Sequence, residues 1–311
     1  MIYALDDLNS NETDEFGGKA ANLARLISLG VPVPPGLVIP SSEFRKFLKH
    51  NHIDSNMSRY FNCSKEVVTS ALEDIKKVIV AGMFPQALID EIKDKCLAVG
   101  FHRLAVRSSG NVEDAKDFSF AGVFKSYLNV SMEEIEMKVK QVWASIFDYH
   151  VFDYCHNNQI AFDQTYIAVI LQKMITPSVS GVCFTANPVT KDRREIVIEC
   201  VFGLGELLVS GAITPDTYFL DKETLTITTI FQNEQEYMLQ NTDSGISEKN
   251  VPSGLISQRK LTDTELISIA EIAIKIENEM AANADLEFVV SDKKLFIVQF
   301  RPITTLISDQ S

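Results

Sequence analysis

Three side chains able to handle a metal-bound anion, Glu287, Gln299 and Arg301, sit in two short runs near the end of the chain. The runs are Asp285-Leu286-Glu287-Phe288 and Leu295-Phe296-Ile297-Val298-Gln299-Phe300-Arg301-Pro302, joined through an Asp292-Lys293-Lys294 turn. Alternation in both halves predicts two antiparallel strands, so the three polar groups project from one face into a shared cleft. A carboxylate, an amide and a guanidinium together suit a magnesium-loaded polyphosphate. Mg²⁺ takes hard oxygen ligands, and Arg forks onto phosphate. Glu287 and Gln299 are the candidate metal ligands, and Arg301 is the candidate phosphate cation. The competing reading is an edge hairpin whose polar groups are simply solvated.

Upstream segments add candidates of the same kind. Lys19 follows Gly17-Gly18 at a helix start, where free amides and the positive end of the dipole favour an anion. A plain helix entry has the same sequence. Arg107 ends the apolar strand Leu104-Ala105-Val106, immediately before Ser108-Ser109, and strand termini are where loops carry function over a rigid sheet. Ser119-Phe120-Ala121-Gly122 has the small residues that let backbone amides close over phosphates. Gln172-Lys173-Met174-Ile175 ends the apolar run Tyr166 to Leu171, as any buried strand could. Gly203-Leu204-Gly205-Glu206 forms a tight turn after a strand.

Taken in order, Gly17-Gly18-Lys19-Ala20-Ala21-Asn22-Leu23, Val106-Arg107-Ser108-Ser109 with Glu113-Asp114, Ser119 to Gly122, Asn187-Pro188-Val189-Thr190 and Gly203 to Glu206 resemble one known module. The chain looks like the ATP-binding domain of the phosphoenolpyruvate synthase, pyruvate phosphate dikinase and rifampicin phosphotransferase family, over about Phe16 to Thr304. That resemblance implies an α+β, two-lobed ATP-grasp fold, with lobes at 1–175 and 176–311 and the nucleotide cleft between them. It implies ATP and Mg²⁺ as cofactors. Lys19, Arg107 and Arg301 would serve catalysis, with nucleotide contacts from Gly122, Ser126, Gln172, Lys173, Met174, Ile175 and Gln299. Val123 and Lys125 depart from the family pattern of an amide followed by an acid; Lys125 either adds a phosphate contact or marks altered chemistry at the transfer step.

The resemblance further implies that the β-phosphoryl of ATP passes to a histidine on a separate swivelling domain, releasing AMP and phosphate. None of His50, His52, His102, His150 and His156 has the Gly/Thr-rich setting of such a carrier. The chain therefore reads as the ATP-using half of a phosphotransferase, with a separate carrier domain or subunit and an unidentified small-molecule acceptor. Two rivals stay open: a carrier-independent ATP-grasp ligase or small-molecule kinase, and a subunit that binds ATP without turnover.

The supporting elements and composition agree with an ordinary globular protein. Helices are expected from Gly18 to Leu29, from a Ser41-Ser42-Glu43 cap, over Lys65 to Val80, and from Pro85 to about Val99. Further helices follow the Ser131-x-x-Glu134 capping box and Thr262 with Glu265. The polar stretch Gln232 to Ser253 reads as a mobile surface loop. At 311 residues, 46% of them hydrophobic, the chain buries a large core. No apolar run approaches the ~20 residues of a membrane span, and the first residues do not resemble a signal peptide, so a cytoplasmic location is expected. Five scattered cysteines form neither a disulfide framework nor a zinc site. A net charge of −13 disfavours nucleic acid and anionic membrane as partners.

Overall fold

The computed structural model describes residues 1–9, 11–110, 124–162, 165, 167–243 and 245–303. The chain forms two compact units, one of Met1–Arg25 and Pro35–Met174, the other of Leu26–Pro34 and Ile175–Ser311. Sequence reasoning placed Leu26–Pro34 in the first lobe. It groups with the second because its carbonyls are used there: Pro32 O accepts from Ile297 N at 2.8 Å and Leu29 O from Lys275 Nζ at 2.6 Å.

The first unit is built on a five-stranded antiparallel sheet. Its elements are β1 (Tyr3–Ala4), α1 (Thr13–Ser28, whose last turn passes into the second unit), β2 (Gly36–Ile39), α2 (Ser41–His50), α3 (Lys65–Ala81), α4 (Gln86–Ala98), β3 (Leu104–Gly110), β4 (Ser126–Val130), α5 (Ile135–Ala144), α6 (Tyr149–Asn157) and β5 (Ile167–Lys173). The strand order is β1-β2-β5-β3-β4. Period-two alternation splits the sheet: Leu37, Ile39, Leu104, Val106, Ile167, Val169 and Leu171 share one face and join the helices in a single core. At its centre the buried Trp143 ring lies 5.0–5.4 Å from the rings of Phe44, Phe47 and Phe84. The other face carries Arg107, Ser109 and Gln172.

Helix starts show where local signals were overridden. No serine caps α2; Pro40 holds the N-cap position, and Glu15 reaches from α1 to accept from Ser42 N at 3.3 Å. The α1 span is itself interrupted, because Gly17 adopts φ 75°, ψ 163°, a conformation essentially reserved for glycine. The helix that carries Lys19 therefore starts at Gly18.

The second unit contains β6 (Val179–Phe184), β7 (Glu195–Phe202), the short α7 (Glu206–Val209), β8 (Asp216–Asp221), β9 (Ile227–Phe231), β10 (Tyr237–Thr242), β11 (Gly245–Asn250), α8 (Asp263–Met280), β12 (Ala284–Ser291) and β13 (Lys294–Pro302). Six of these strands form an antiparallel sheet in the order β13-β12-β6-β7-β8-β9. Helix α8, opened by the expected Thr262/Glu265 capping box, packs on β12 and β6. It covers Leu286, Phe288, Cys183 and Ile198 with its own Leu266, Ile269, Ala270 and Ala273.

The expected loop from Gln232 to Ser253 is instead an ordered antiparallel hairpin, β10 with β11. Its roots are fixed by a fully buried pair, Lys260 Nζ to Asp216 Oδ1 at 2.7 Å. Asp216 also accepts from Asn233 N and from the Tyr218 hydroxyl. Gln235 is buried and pairs with both the amide and the carbonyl of Phe202. No helix among the described residues is long and apolar enough to cross a membrane.

Gly17→Ala tests the break in α1. A β-carbon there would lie 2.1 Å from the Ser109 carbonyl oxygen, a main-chain atom that has no rotamer with which to step aside. The backbone conformation alone should cost roughly 1–3 kcal/mol, with the collision adding to it. Urea denaturation is the measurement; a variant as stable as the parent would show that α1 runs unbroken.

Candidate functional site

In the first unit, the start of the α1 helix is fastened to the end of β3. Ser109 Oγ accepts from Ala20 N at 3.0 Å, satisfying an amide in the helical turn after Gly17 that has no partner within its own helix. Lys19, buried, donates from Nζ to Ser108 O at 3.0 Å. The β3/β4 ladder runs only to Arg107 opposite Ser126, so Ser108 and Ser109 lie beyond it and meet α1. Arg107 is buried as well, with Nη1 3.4 Å from Gln172 Oε1 on the neighbouring β5. Lys19, Arg107 and Gln172 are thus brought together, and Ser126 is exposed on the strand beside Arg107. Gly122 and the whole of Glu113-Asp114 and Ser119 to Gly122 lie outside the described residues.

At the end of β5, Lys173 is exposed and Met174 and Ile175 are half-buried. Lys173 N donates to Pro35 O at 2.8 Å and Met174 N to Arg103 O at 3.0 Å. Both amides are therefore engaged by the protein itself. The Ile175 carbonyl accepts from Asn241 Nδ2 at 3.2 Å.

In the second unit, β12 and β13 place Glu287 opposite Gln299 and Asp285 opposite Arg301. All four side chains share the sheet face away from α8. Gln299 Nε2 donates to Glu287 Oε1 at 2.8 Å, a cross-strand pair that holds both groups in one geometry. Sequence reasoning missed Asp285 as a site residue, although its position two residues before Glu287 puts it on the same face. Burial pushes its carboxyl up from the ordinary 3.8 to about 6; Glu287 adds to the shift and Arg301 opposes it. Glu199 lies on this face too, one strand beyond Val182, which is paired with Glu287. Burial raises the carboxyls of Glu199 and Glu206.

This donor set fits magnesium. Mg²⁺ keeps several waters and is bound through one or two carboxylates plus substrate phosphates, which Glu287 and Gln299 can serve as oxygen donors. Among the described residues no three His, Cys, Asp or Glu side chains cluster as a complete metal cage. An acidic face with one guanidinium also suits a cation shared with a polyanion better than an anion alone.

The remaining motifs have structural roles. Asn187 Oδ1 accepts from Val189 N and Thr190 N at 2.9 and 3.0 Å, an Asx turn. Gly203 has φ 77°, and a β-carbon on it would meet the Leu239 carbonyl at 2.4 Å. That glycine lets β10 dock on the loop, where Leu204 N donates to Leu239 O at 2.9 Å.

The raised Asp285 carboxyl makes a signed prediction. The folded protein holds this proton more tightly than the unfolded chain, so stability falls as pH rises from about 4 to about 6, and the cost is complete above that range. Asp285→Asn should stabilise the ligand-free protein at pH 8 by on the order of 2–3 kcal/mol and leave it unchanged near pH 4. Denaturant titrations at the two pH values are the check; equal effects at both would remove the assignment.

Residues 13–311 match the family of the pyruvate phosphate dikinase, AMP/ATP-binding domain. The uncharacterized phosphotransferase YvkC of Bacillus subtilis is 35% identical over 315 residues, covering 99% of this chain and 36% of that protein. A probable phosphoenolpyruvate synthase of Methanothermobacter thermautotrophicus is 33% identical, with 98% of this chain and 46% of that protein covered. The phosphoenolpyruvate synthase of Pyrococcus furiosus is 31% identical, with 98% and 44% covered. The chain spans less than half the length of these relatives. With a match that leaves out only the first twelve residues, the chain belongs to the pyruvate phosphate dikinase AMP/ATP-binding domain family.

Proposed function

We propose that the chain binds MgATP in ATP-grasp fashion and is the phosphoryl-donating part of a dikinase-type phosphotransferase. The observation that carries this reading is the hydrogen-bonded Glu287–Gln299 pair with Arg301 on the same face. Glu287 and Gln299 would hold Mg²⁺, which supplies charge neutralisation and orientation at the phosphates. Arg301, Lys19 and Arg107 would take phosphate oxygens. Lys19 and Arg107 are already desolvated in the free protein, so little reorganisation is needed when the anion arrives. Phosphoryl transfer leaves little covalent work to the protein, and positioning supplies most of the catalysis.

The acceptor in this proposal is a histidine on a separate domain or partner: ATP and water yield AMP, inorganic phosphate and a histidine carrying the former β-phosphoryl group. This chain's five histidines all lie exposed on the first unit, fixed to a body that also holds Lys19 and Arg107, whereas a carrier must travel. Incubated alone with β- or γ-labelled ATP, the chain should form no acid-labile phosphohistidine. Supplied with a histidine-bearing carrier domain, it should transfer label from the β position only, with AMP as product. Phosphohistidine on the isolated chain, abolished by one His→Ala change, would overturn the reading; ADP as the sole nucleotide product would favour a kinase or ligase.

Arg107→Ala and Arg301→Ala should each weaken ATP by ~2 kcal/mol or more, the usual cost of truncating one side of a desolvated charge pair. Adenosine, lacking phosphates, should be almost indifferent to both. Equal losses for adenosine and ATP in calorimetric titration would show that the arginines support the pocket and not the phosphates.

A further inference from the structure

We propose that Asn241, on the β10–β11 hairpin, reads the exocyclic amine of the adenine base and so sets the preference for ATP over other purine nucleotides. The assignment rests on the nucleotide reading above and adds a residue that no sequence motif marked.

Asn241 Nδ2 donates to the Ile175 carbonyl at 3.2 Å. A carbonyl accepts only from the NH₂ end of an amide, so this bond also fixes which way the side chain points. The Asn241 Oδ1 atom at the other end is buried and has no hydrogen-bond partner among the described residues. Buried acceptors without donors are rare and costly, and each calls for an explanation. Asn241 cannot relieve the orphan by turning, because a flip would set Oδ1 against the Ile175 carbonyl and bury the NH₂ instead.

The placement says what kind of donor belongs there. Asn241 grips Ile175, at the end of the Gln172-to-Ile175 segment that the family resemblance assigns to nucleotide contact. The amides of Lys173 and Met174 already serve Pro35 and Arg103, and the Ile175 carbonyl serves Asn241. The hairpin is held two residues earlier by the Leu204 N to Leu239 O bond. Asn241 thus takes up a backbone acceptor and presents its own in exchange. Adenine carries an amine at C6, which would satisfy Oδ1. Guanine and hypoxanthine carry a carbonyl oxygen at the same position, which would set two acceptors face to face.

The test uses the full chain and the magnesium complexes of two nucleotides, ATP and purine riboside triphosphate, which lacks the amine and adds no acceptor. Calorimetric titration of the parent should show ATP binding about tenfold tighter, in line with the loss of one buried hydrogen bond. In Asn241→Leu, a similar volume without the orphan, ATP should weaken until the two nucleotides agree within about twofold. Purine riboside triphosphate should be unaffected. Arg301→Ala should weaken both nucleotides alike and preserve their ratio, which separates the base from the phosphates.

Thermal melting of Asn241→Leu without ligand should lie close to the parent, since the change removes the unpaired Oδ1 but also takes the Nδ2 donor from the Ile175 carbonyl; if that variant does not fold, Asn241→Ala takes its place in the titrations. A ratio unchanged by the substitution, or equal losses for both nucleotides, overturns the assignment while leaving phosphate binding intact. Failure of the parent to bind either nucleotide sinks the MgATP reading and this assignment with it.

Discussion

One extra residue in β13 decides which face of the second unit's sheet carries charge. From Ser291 opposite Lys294 the register runs evenly to Phe288 opposite Ile297, then skips Val298, so that Glu287 meets Gln299. Had the ladder continued without the bulge, Gln299 and Arg301 would have turned toward α8 among Leu286 and Phe288. Val298 and Phe300 would have faced the carboxylates. An unpaired guanidinium in an apolar core is among the costliest errors a fold can make. The bulge is thus the condition under which Glu287, Gln299, Asp285 and Arg301 can be neighbours at all.

The two units divide the charge. Cations dominate the set on the first, where Lys19 and Arg107 are buried beside the serine-rich end of β3. Carboxylates dominate the set on the second. A chain of net charge −13 cannot recruit a polyanion through its overall field. In the MgATP reading proposed above, binding falls to local groups already stripped of water, and to a metal where the local groups are acidic. Gly17 serves the first requirement by ending one turn and starting another, so that Lys19 stands at a helix start against Ser108 and Ser109.

Much of this was legible in the residues, for identifiable reasons. Helix periodicity and the Thr262 capping box are local, and α3, α4 and α8 follow them closely. Period-two alternation put Glu287, Gln299 and Arg301 on one face, although the bulge that makes it so leaves no mark in the apolar run Leu295 to Val298. What failed was what depends on distant partners. Glu15 replaces Ser41 as the cap of α2 by accepting from Ser42 N, 27 residues away, and no local rule can see that. The hairpin over Tyr237–Asn250 was missed because its strands are polar, so apolar alternation is absent and order comes from Gln235, Leu239 and Asn241 bonding elsewhere. Asn241 escaped notice for the same reason.

The Asp216–Lys260 pair gives that hairpin an uneven tolerance to change. Both ends of the segment converge on one carboxylate: Asn233 and Lys260 each donate to Asp216, with no solvent to take over if either moves. A buried pair of this kind adds little net stability but penalises any slip severely. An insertion or deletion at the roots would shift Lys260 or Asn233 off its mark and strand a charge in the interior. At the tip, beside the exposed Asp243, the same change would add or remove solvated chain. Across homologues, then, length variation in this segment should concentrate in the turn, while the spacing from Asp216 to Asn233 and from the hairpin to Lys260 is the part that evolution has least freedom to edit.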